Sequence, residues 1–386
     1  MSSGRIGINS WGSMSPLGSD PATIWQAYQR PETCVGLSKI LNAPVAELQE
    51  VEEQLLRQLK AQDKNYKALD KSVLMALFAA EQAVSNRTSS ADQLAVNLGS
   101  SRGATGLFEK YFGAFAENPD RKLSPLSSPS TTSGNLSTWV AYHLGLQGAT
   151  FSHSVTCSTA LHAVLNGIAW LRSGLCQAFL AGGSEAPLTP FTIAQMKAMR
   201  IYSNRQESPF PNLSLAKEKQ QNTMVLGEGA ACFYLKINPL KPLAYIDGIG
   251  FGQEKIRHAT AISENGNGFQ KAMEMALKSA GLKKVDAVIC HAPGTQKGDL
   301  AELKAIEKSF NKNIPRLTSN KWKIGHTLGA SGALSLELAL LMLENNEFIG
   351  IPYLEQSAAD QADIKSVMVN AAGFGGNVVS LILRKP

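Results

Sequence analysis

The feature that most limits how this chain can fold is an arrangement it uses twice. At residues 157–171 a turn of small residues, CSTA, opens a helix of small and apolar side chains, and the strand-like QAFLAGG follows. At residues 325–346 the order returns in GHTLGASGALSLELALLMLENN: a small-residue turn, then a long apolar helix. Between them, ACFYLKINPLKPLAYIDGIGF reads as two β-rich runs joined by a Pro-containing turn. This places a boundary near residues 238–242 and predicts a pseudo-duplicated α/β chain with halves at 1–239 and 240–386. The first half then ends in ACFYLKI and the second in VVSLILR.

Shorter signals fit this frame. RIGIN (5–9) reads as an opening strand, and Asp20 as the N-cap of the helix DPATIWQAYQ. Residues 66–84 have helical apolar spacing, and AVNLGS (95–100) reads as a short buried strand. Residues 121–135 are Ser/Pro-rich and longer than a simple turn, as a functional loop is.

The net charge of +6 is spread along the chain, with no basic arm or aromatic ladder, which argues against nucleic acid and leaves room for an acidic protein partner. The five cysteines are widely spaced and never arranged as CxxC, against a disulfide framework or structural zinc. MSSGRIGINSWGS lacks the form of a secretion signal, and no apolar run reaches about 20 residues. A cytoplasmic protein without a membrane span is expected.

Cys157 follows the β-rich ATFSHSVT and precedes a helix of small and apolar residues. A helix N-terminus favours the thiolate over the thiol, so Cys157 is the candidate nucleophile; a buried structural cysteine is the plainer alternative. Cys34, Cys176 and Cys232 lack this setting. His326 also sits at a turn before a helix, with Lys321 five residues earlier. Asp299 and Glu302 share a face of the helix that GDLAELKAIEKSF would make, Asp299 as a plausible cap. His143, His153, His162 and His258 read as structural or exposed.

SVTCSTALHAVLNGIAWLRSG with LAGGSEAPLTP resembles the active-site block of β-ketoacyl-[acyl carrier protein] synthases, the condensing enzymes of fatty acid and polyketide synthesis. LGEGAACFYL, the KxxxxGHTLGASGA segment, NAAGFGGNVVSLILR and the early SWGSMSPLGSD match the same family in the expected order. The resemblance implies a thiolase-like five-layer α-β-α-β-α sandwich, usually dimeric. It implies Cys157 as acyl acceptor from a carrier-protein phosphopantetheine thioester, and His326 as donor to the enolate formed when a malonyl thioester loses CO2. Lys321 would tune the site, with Glu302 as its partner. The backbone N–H groups of Cys157 and Phe374 would form the oxyanion hole, Gly373 and Gly375 letting Phe374 act as a gate. Thr295 would contact pantetheine. No metal and no tightly bound cofactor is implied, since the pantetheine arm arrives on the carrier.

The chain departs from the family at VICHAPGTQKGD, where the first catalytic histidine is Pro293 and the second threonine position holds Lys297. Proline has neither a side-chain donor nor a backbone N–H. A further departure is the insert-like NLSLAKEKQQN before LGEG. His291 is the candidate substitute, although two strand steps of nearly 7 Å separate it from Pro293, so it needs a bent strand end. The leading expectation is therefore a condensing enzyme, as homodimer or as heterodimer with another ketosynthase. The rivals are a chain-length-factor-like, catalytically impaired partner subunit, and an acyltransferase that uses Cys157 without decarboxylation. Lys64, Lys67, Lys71, Lys197 and Arg200 are the candidate carrier-docking cations.

Overall fold

The computed structural model describes residues 4–85, 93–120, 122–255, 262–311, 313–354 and 363–386. Its strands are β1 (Ile6–Met14), β2 (Gly36–Ser38), β3 (Ala43–Ala46), β4 (Leu94–Gly99), β5 (Thr150–Phe151), β6 (Ala178–Glu185) and β7 (Leu226–Gly227). They continue as β8 (Gly229–Ile237), β9 (Ala244–Gln253), β10 (Ala287–Ile289), β11 (Arg316–Thr318), β12 (Ser366–Ala372) and β13 (Asn377–Arg384). Ten of these follow one another in the order β11-β10-β12-β13-β9-β1-β8-β6-β4-β5.

That run is two five-stranded sheets meeting at a corner, because β1 and β9 pair only through Gly7–Tyr245 and Ile8–Ala244. One sheet reads β5-β4-β6-β8-β1 and the other β11-β10-β12-β13-β9. In each, the first three strands are parallel and the last two antiparallel. The repeat in the sequence is thus a repeat of topology.

The helices Thr159–Ser173 and Ser331–Asn345 pack on each other and touch strands of both sheets. Ser331–Asn345 is buried over its first thirteen residues. A helix apolar on every side must be covered on every side, and two sheets do this. The helices Lys71–Ala83 and Asn267–Ala280 cover the outer faces, giving the five-layer sandwich expected from the motifs. β2, β3 and β7 form a separate small sheet.

Asp20 caps its helix by accepting from Ala22 and Thr23 N–H, as expected. The helical spacing over 66–84 does not give one helix. A 3-10 turn, Lys64–Ala68, ends at Leu69, and Asp70 then caps Lys71–Ala83 by accepting from Ser72 N–H. The Ser/Pro-rich stretch holds a helical turn at Ser127–Thr131, and Arg121 lies outside the described residues. Among the described residues no helix is long and apolar enough to cross a membrane.

Close helix–sheet contact in the second half depends on Gly250, where a Cβ would lie 1.8 Å from Ala272 O. Gly250→Ala should lower the unfolding free energy by about 2 kcal/mol or more, as overpacking does. Gly113→Ala, with nothing within 4 Å, is the helical control and should be neutral or stabilising by under about 1 kcal/mol. Urea midpoints at unchanged slope check both.

Candidate active site

β5 leads into a tight turn before the helix Thr159–Ser173. Thr156 has φ +50°, and Thr159 Oγ1 donates to Thr156 O (2.6 Å) while accepting from Val155 N–H (2.8 Å). The turn directs Cys157, 7% exposed, toward a cavity of about 730 Å³. The GFGG loop from the second half docks on this turn. Thr156 Oγ1 donates to Phe374 O (3.1 Å), and a Cβ on Gly373 would lie 2.0 Å from that hydroxyl and 3.1 Å from Cys157 N. Only glycine allows the approach. Phe374, 39% exposed, stands at the cavity wall, followed by Gly375 and Gly376 at φ +84° and +81°.

His326 is fixed from the opposite side. Gly325 (φ +67°) turns the chain out of Lys321–Ile324, His326 N–H donates to Val225 O (2.7 Å), and Gly227 N–H donates to His326 O (3.2 Å). The LGEG block thus holds the histidine's backbone. Its ring is buried, and Nδ1 has no partner among the described residues.

The altered corner is where structure adds most. β10 ends at Ile289, and Ala292 takes φ +21°. The strand has ended before His291 and the chain turns at Ala292, so the side-by-side spacing of a straight strand does not apply. His291 lines the same cavity as Cys157 and His326, its ring centroid 5.2 Å from that of His326 at 82°. Glu302 holds the bend: its carboxylate accepts from His291 N–H (2.9 Å), Ala292 N–H (2.8 Å) and Asn370 Nδ2 (3.0 Å). Glu302 is therefore not the close ion-pair partner expected for Lys321. Lys321 Nζ donates instead to Asn320 Oδ1 (3.1 Å) and Ser335 Oγ (2.8 Å). Two main-chain donors outcompete one ammonium for this carboxylate.

The insert-like segment and Thr223 after it hold the carbonyls of the next three residues. Ser214 Oγ donates to Ala292 O (2.8 Å), Asn212 Nδ2 to Pro293 O (3.0 Å), and Thr223 Oγ1 to Gly294 O (2.9 Å). Asp299, inside Gln296–Phe310 and not its cap, accepts from Gly294 and Thr295 N–H (3.1 Å each) and Leu215 N–H (3.0 Å). Its counter-ion is Lys219 at 2.8 Å, both side chains 2% exposed. Thr295 lines the cavity, as do Gln296 and Lys297.

Electrostatically, burial dominates at Cys157 and the two imidazoles. Burial pushes the Cys157 thiol up to about 12, with Glu185 adding to it; Lys321 pulls the other way. Burial thus opposes the helix terminus, which favours the thiolate. Burial brings His326 down to about 3 and His291 well below its ordinary value, so both imidazoles are neutral at pH 7. Burial likewise lowers Lys321 to about 8, opposed by Glu302, and raises Glu302 to about 7.

The other expectations divide. His143, His153 and His162 are held by Tyr66, Asn97 and Ser158 respectively, and His258 lies outside the described residues. Lys71 is committed to Glu53 and to buried Glu228 (2.6 Å), which removes it from any docking surface. Lys64 and Lys67 are exposed on their 3-10 turn. Lys197 and Arg200 are exposed among Met196, Met199 and Ile201, which line the cavity. Missed from the sequence were Asn370, Lys219 and Glu185. Glu185 accepts from Ser100 Oγ, Ser101 N–H, Arg102 N–H and Gly329 N–H, tying both halves together behind the thiol. Asn370 and Glu185 stood in the quoted motifs; nothing periodic marks Lys219.

The chain is similar to known proteins over nearly its whole length. Residues 5–238 match the model for the beta-ketoacyl synthase N-terminal domain, and residues 243–351 that for its C-terminal domain. A 3-oxoacyl-[acyl-carrier-protein] synthase 2 of Coxiella burnetii is 29% identical over 412 residues, covering 99% of this chain and 98% of its own. Two solved structures share the fold. A type II PKS ketosynthase in complex with its acyl-carrier protein and bound to the hexaketide has TM-score 0.86, 20% identity, and coverage of 99% and 100%. The ishigamide ketosynthase/chain length factor has TM-score 0.84, 21% identity, and coverage of 99% of both chains.

Two measurements check the site. Lys219→Met strands a buried carboxylate and should cost about 3–5 kcal/mol of stability, while Lys219→Arg should recover most of it. His326 binds a proton near pH 6.5 when unfolded but only near 3 when folded, so stability falls as pH drops below 6.5. By pH 4.5 this one group costs about 3 kcal/mol. His326→Asn should flatten that limb of the urea-midpoint profile by this amount; an unchanged slope contradicts the burial account.

Proposed function

Because this chain belongs to the β-ketoacyl synthase family, we propose that it is a carrier-protein-dependent condensing enzyme in which His291 stands in for the histidine replaced by Pro293. The observation that carries the reading is the pair of imidazoles, His291 against His326, on one cavity with Cys157.

The first half-reaction needs no imidazolium. Cys157 Sγ attacks the carrier thioester, the S–C bond to the pantetheine breaks, and the thiol proton passes to the departing sulfur. The thiol's high pKa favours deprotonation only as the thioester arrives, with the neutral rings able to relay the proton. Backbone N–H groups of Cys157 and Phe374 are suited to the oxyanion. In the second half-reaction the malonyl C–CO2 bond breaks and its electron pair becomes an enolate. The neutral N–H groups of His326 and His291 stabilise the enolate oxygen in a site that desolvates it. The carbanion forms the new C–C bond at the acyl carbonyl, the Cys157 thioester bond breaks, and the sulfur regains a proton. The products are CO2 and a β-ketoacyl carrier. Lys321 sets the local potential; Glu302 acts through His291 and positions it.

Thr295 and Lys297, on the cavity wall, suit the pantetheine arm, and Lys197 with Arg200 suits an acidic carrier at the mouth. A second ketosynthase chain, identical or not, suits the exposed stripe Phe108, Phe112 and Phe115 on the helix Thr105–Glu117. We place this chemistry in the cytoplasm. The impaired-partner reading rested on the loss at Pro293, and the paired rings weaken it.

Intact-mass spectrometry with acyl- and malonyl-carrier proteins tests the assignment. Cys157 should gain the acyl mass, and the carrier should then gain a β-keto extension. His291→Ala should keep acylation and lower condensation on the order of 10²–10³-fold. Acylation without condensation by the wild type, alone and with a partner synthase, contradicts the proposal. Paired Lys197→Glu and Arg200→Glu changes should raise the carrier KM severalfold at low salt and leave kcat in place.

A further inference from the structure

Arg102 is a cationic residue on the cavity that neither half-reaction uses. It lies on the loop leaving β4 and lines the cavity that Cys157 opens on. The loop is anchored beside the nucleophile: Ser101 and Arg102 N–H groups donate to Glu185 (2.7 and 3.0 Å), and Ser154 Oγ donates to Ser101 O (3.3 Å). The guanidinium itself is tethered by Nη2 to Gln195 Oε1. Its Nε is buried and has no partner among the described residues. Nor does any described carboxylate form an ion pair with it; Glu109, on the following helix, accepts from Thr189 Oγ1 (2.6 Å).

An arginine with no ion pair among the described residues is costly on a cavity wall that also carries Met196, Met199, Ile201 and Met224. It is also a poor wall for a fully saturated chain. We propose that Arg102 selects an acyl group carrying an oxygen acceptor, a ketone or a carboxylate, over a saturated chain of equal length. The planar guanidinium offers the Nη1 edge that Gln195 leaves free to that oxygen, a charge-assisted bond that hydrocarbon cannot make. Arg102 is then a specificity residue for the reaction proposed above, and the inference rests on that reading.

The experiment measures Cys157 loading rates by intact mass from carrier thioesters of matched length: octanoyl, 3-oxooctanoyl, and the eight-carbon chain ending in a carboxylate. Acetyl thioester, which has no distal chain, is the control. Wild type should load at least one oxygenated chain on the order of 10-fold or more faster than octanoyl. The faster of the two tells a ketone near the thioester from a distal carboxylate. Arg102→Met should reverse the order while leaving acetyl loading in place, and Arg102→Lys should fall between. Equal loading of the three eight-carbon chains by the wild type overturns the inference without needing any variant, and so does an unchanged order in Arg102→Met. If not even acetyl loads Cys157, the condensing-enzyme reading fails and takes this one with it.

Discussion

Everything in this molecule hangs on the burial of two helices between two sheets. Ser331–Asn345 has no polar face to offer water, so it must be enclosed, and Thr159–Ser173 is its companion. Enclosure fixes where their N-terminal turns go. One carries Cys157 and the other follows His326, so covering the apolar helices also brings nucleophile and imidazole to one cavity. Loops from each half then lock the other: the GFGG loop on the Cys157 turn, and Glu185 on Gly329.

The same enclosure sets the chemistry. A group deep in this centre is judged first by its desolvation and only then by its neighbours. The thiol is driven up, the imidazoles down and Lys321 down toward neutrality. Burial therefore leaves neutral imidazoles on the cavity. That suits a reaction whose charge appears briefly on an enolate or oxyanion oxygen, because the donors need not reorganise when it does.

Around Pro293 the backbone is held from two sides. Proline at 293 removes a side-chain donor and an N–H, yet the carbonyls of residues 292–294 are each held by the 212–223 segment. Glu302 and Asp299 hold the N–H groups on the other side. Two buried carboxylates and one buried lysine are a large electrostatic commitment for one corner. They are satisfied by a donor at every oxygen, which is the condition under which buried charge is tolerable.

Local patterns were enough for the repeat, the turns at Cys157 and His326 and the family, because each is written in a few adjacent residues whose types the geometry demands. Asp20 as a cap was readable for the same reason. The helix over 66–84 was misread because a 3-10 turn carries similar apolar spacing. Lys71 was misread because an ion pair with Glu228, 157 positions away, leaves no local trace. The state of Cys157 depends on how much water the fold removes, which no short stretch reports. Whether His291 reaches the cavity was decided by a bend at Ala292 that Glu302 and the 212–223 segment impose from elsewhere in the chain. Sequence names the groups that can react, but their direction and protonation come from desolvation and long-range hydrogen bonds, and those exist only once the halves have closed.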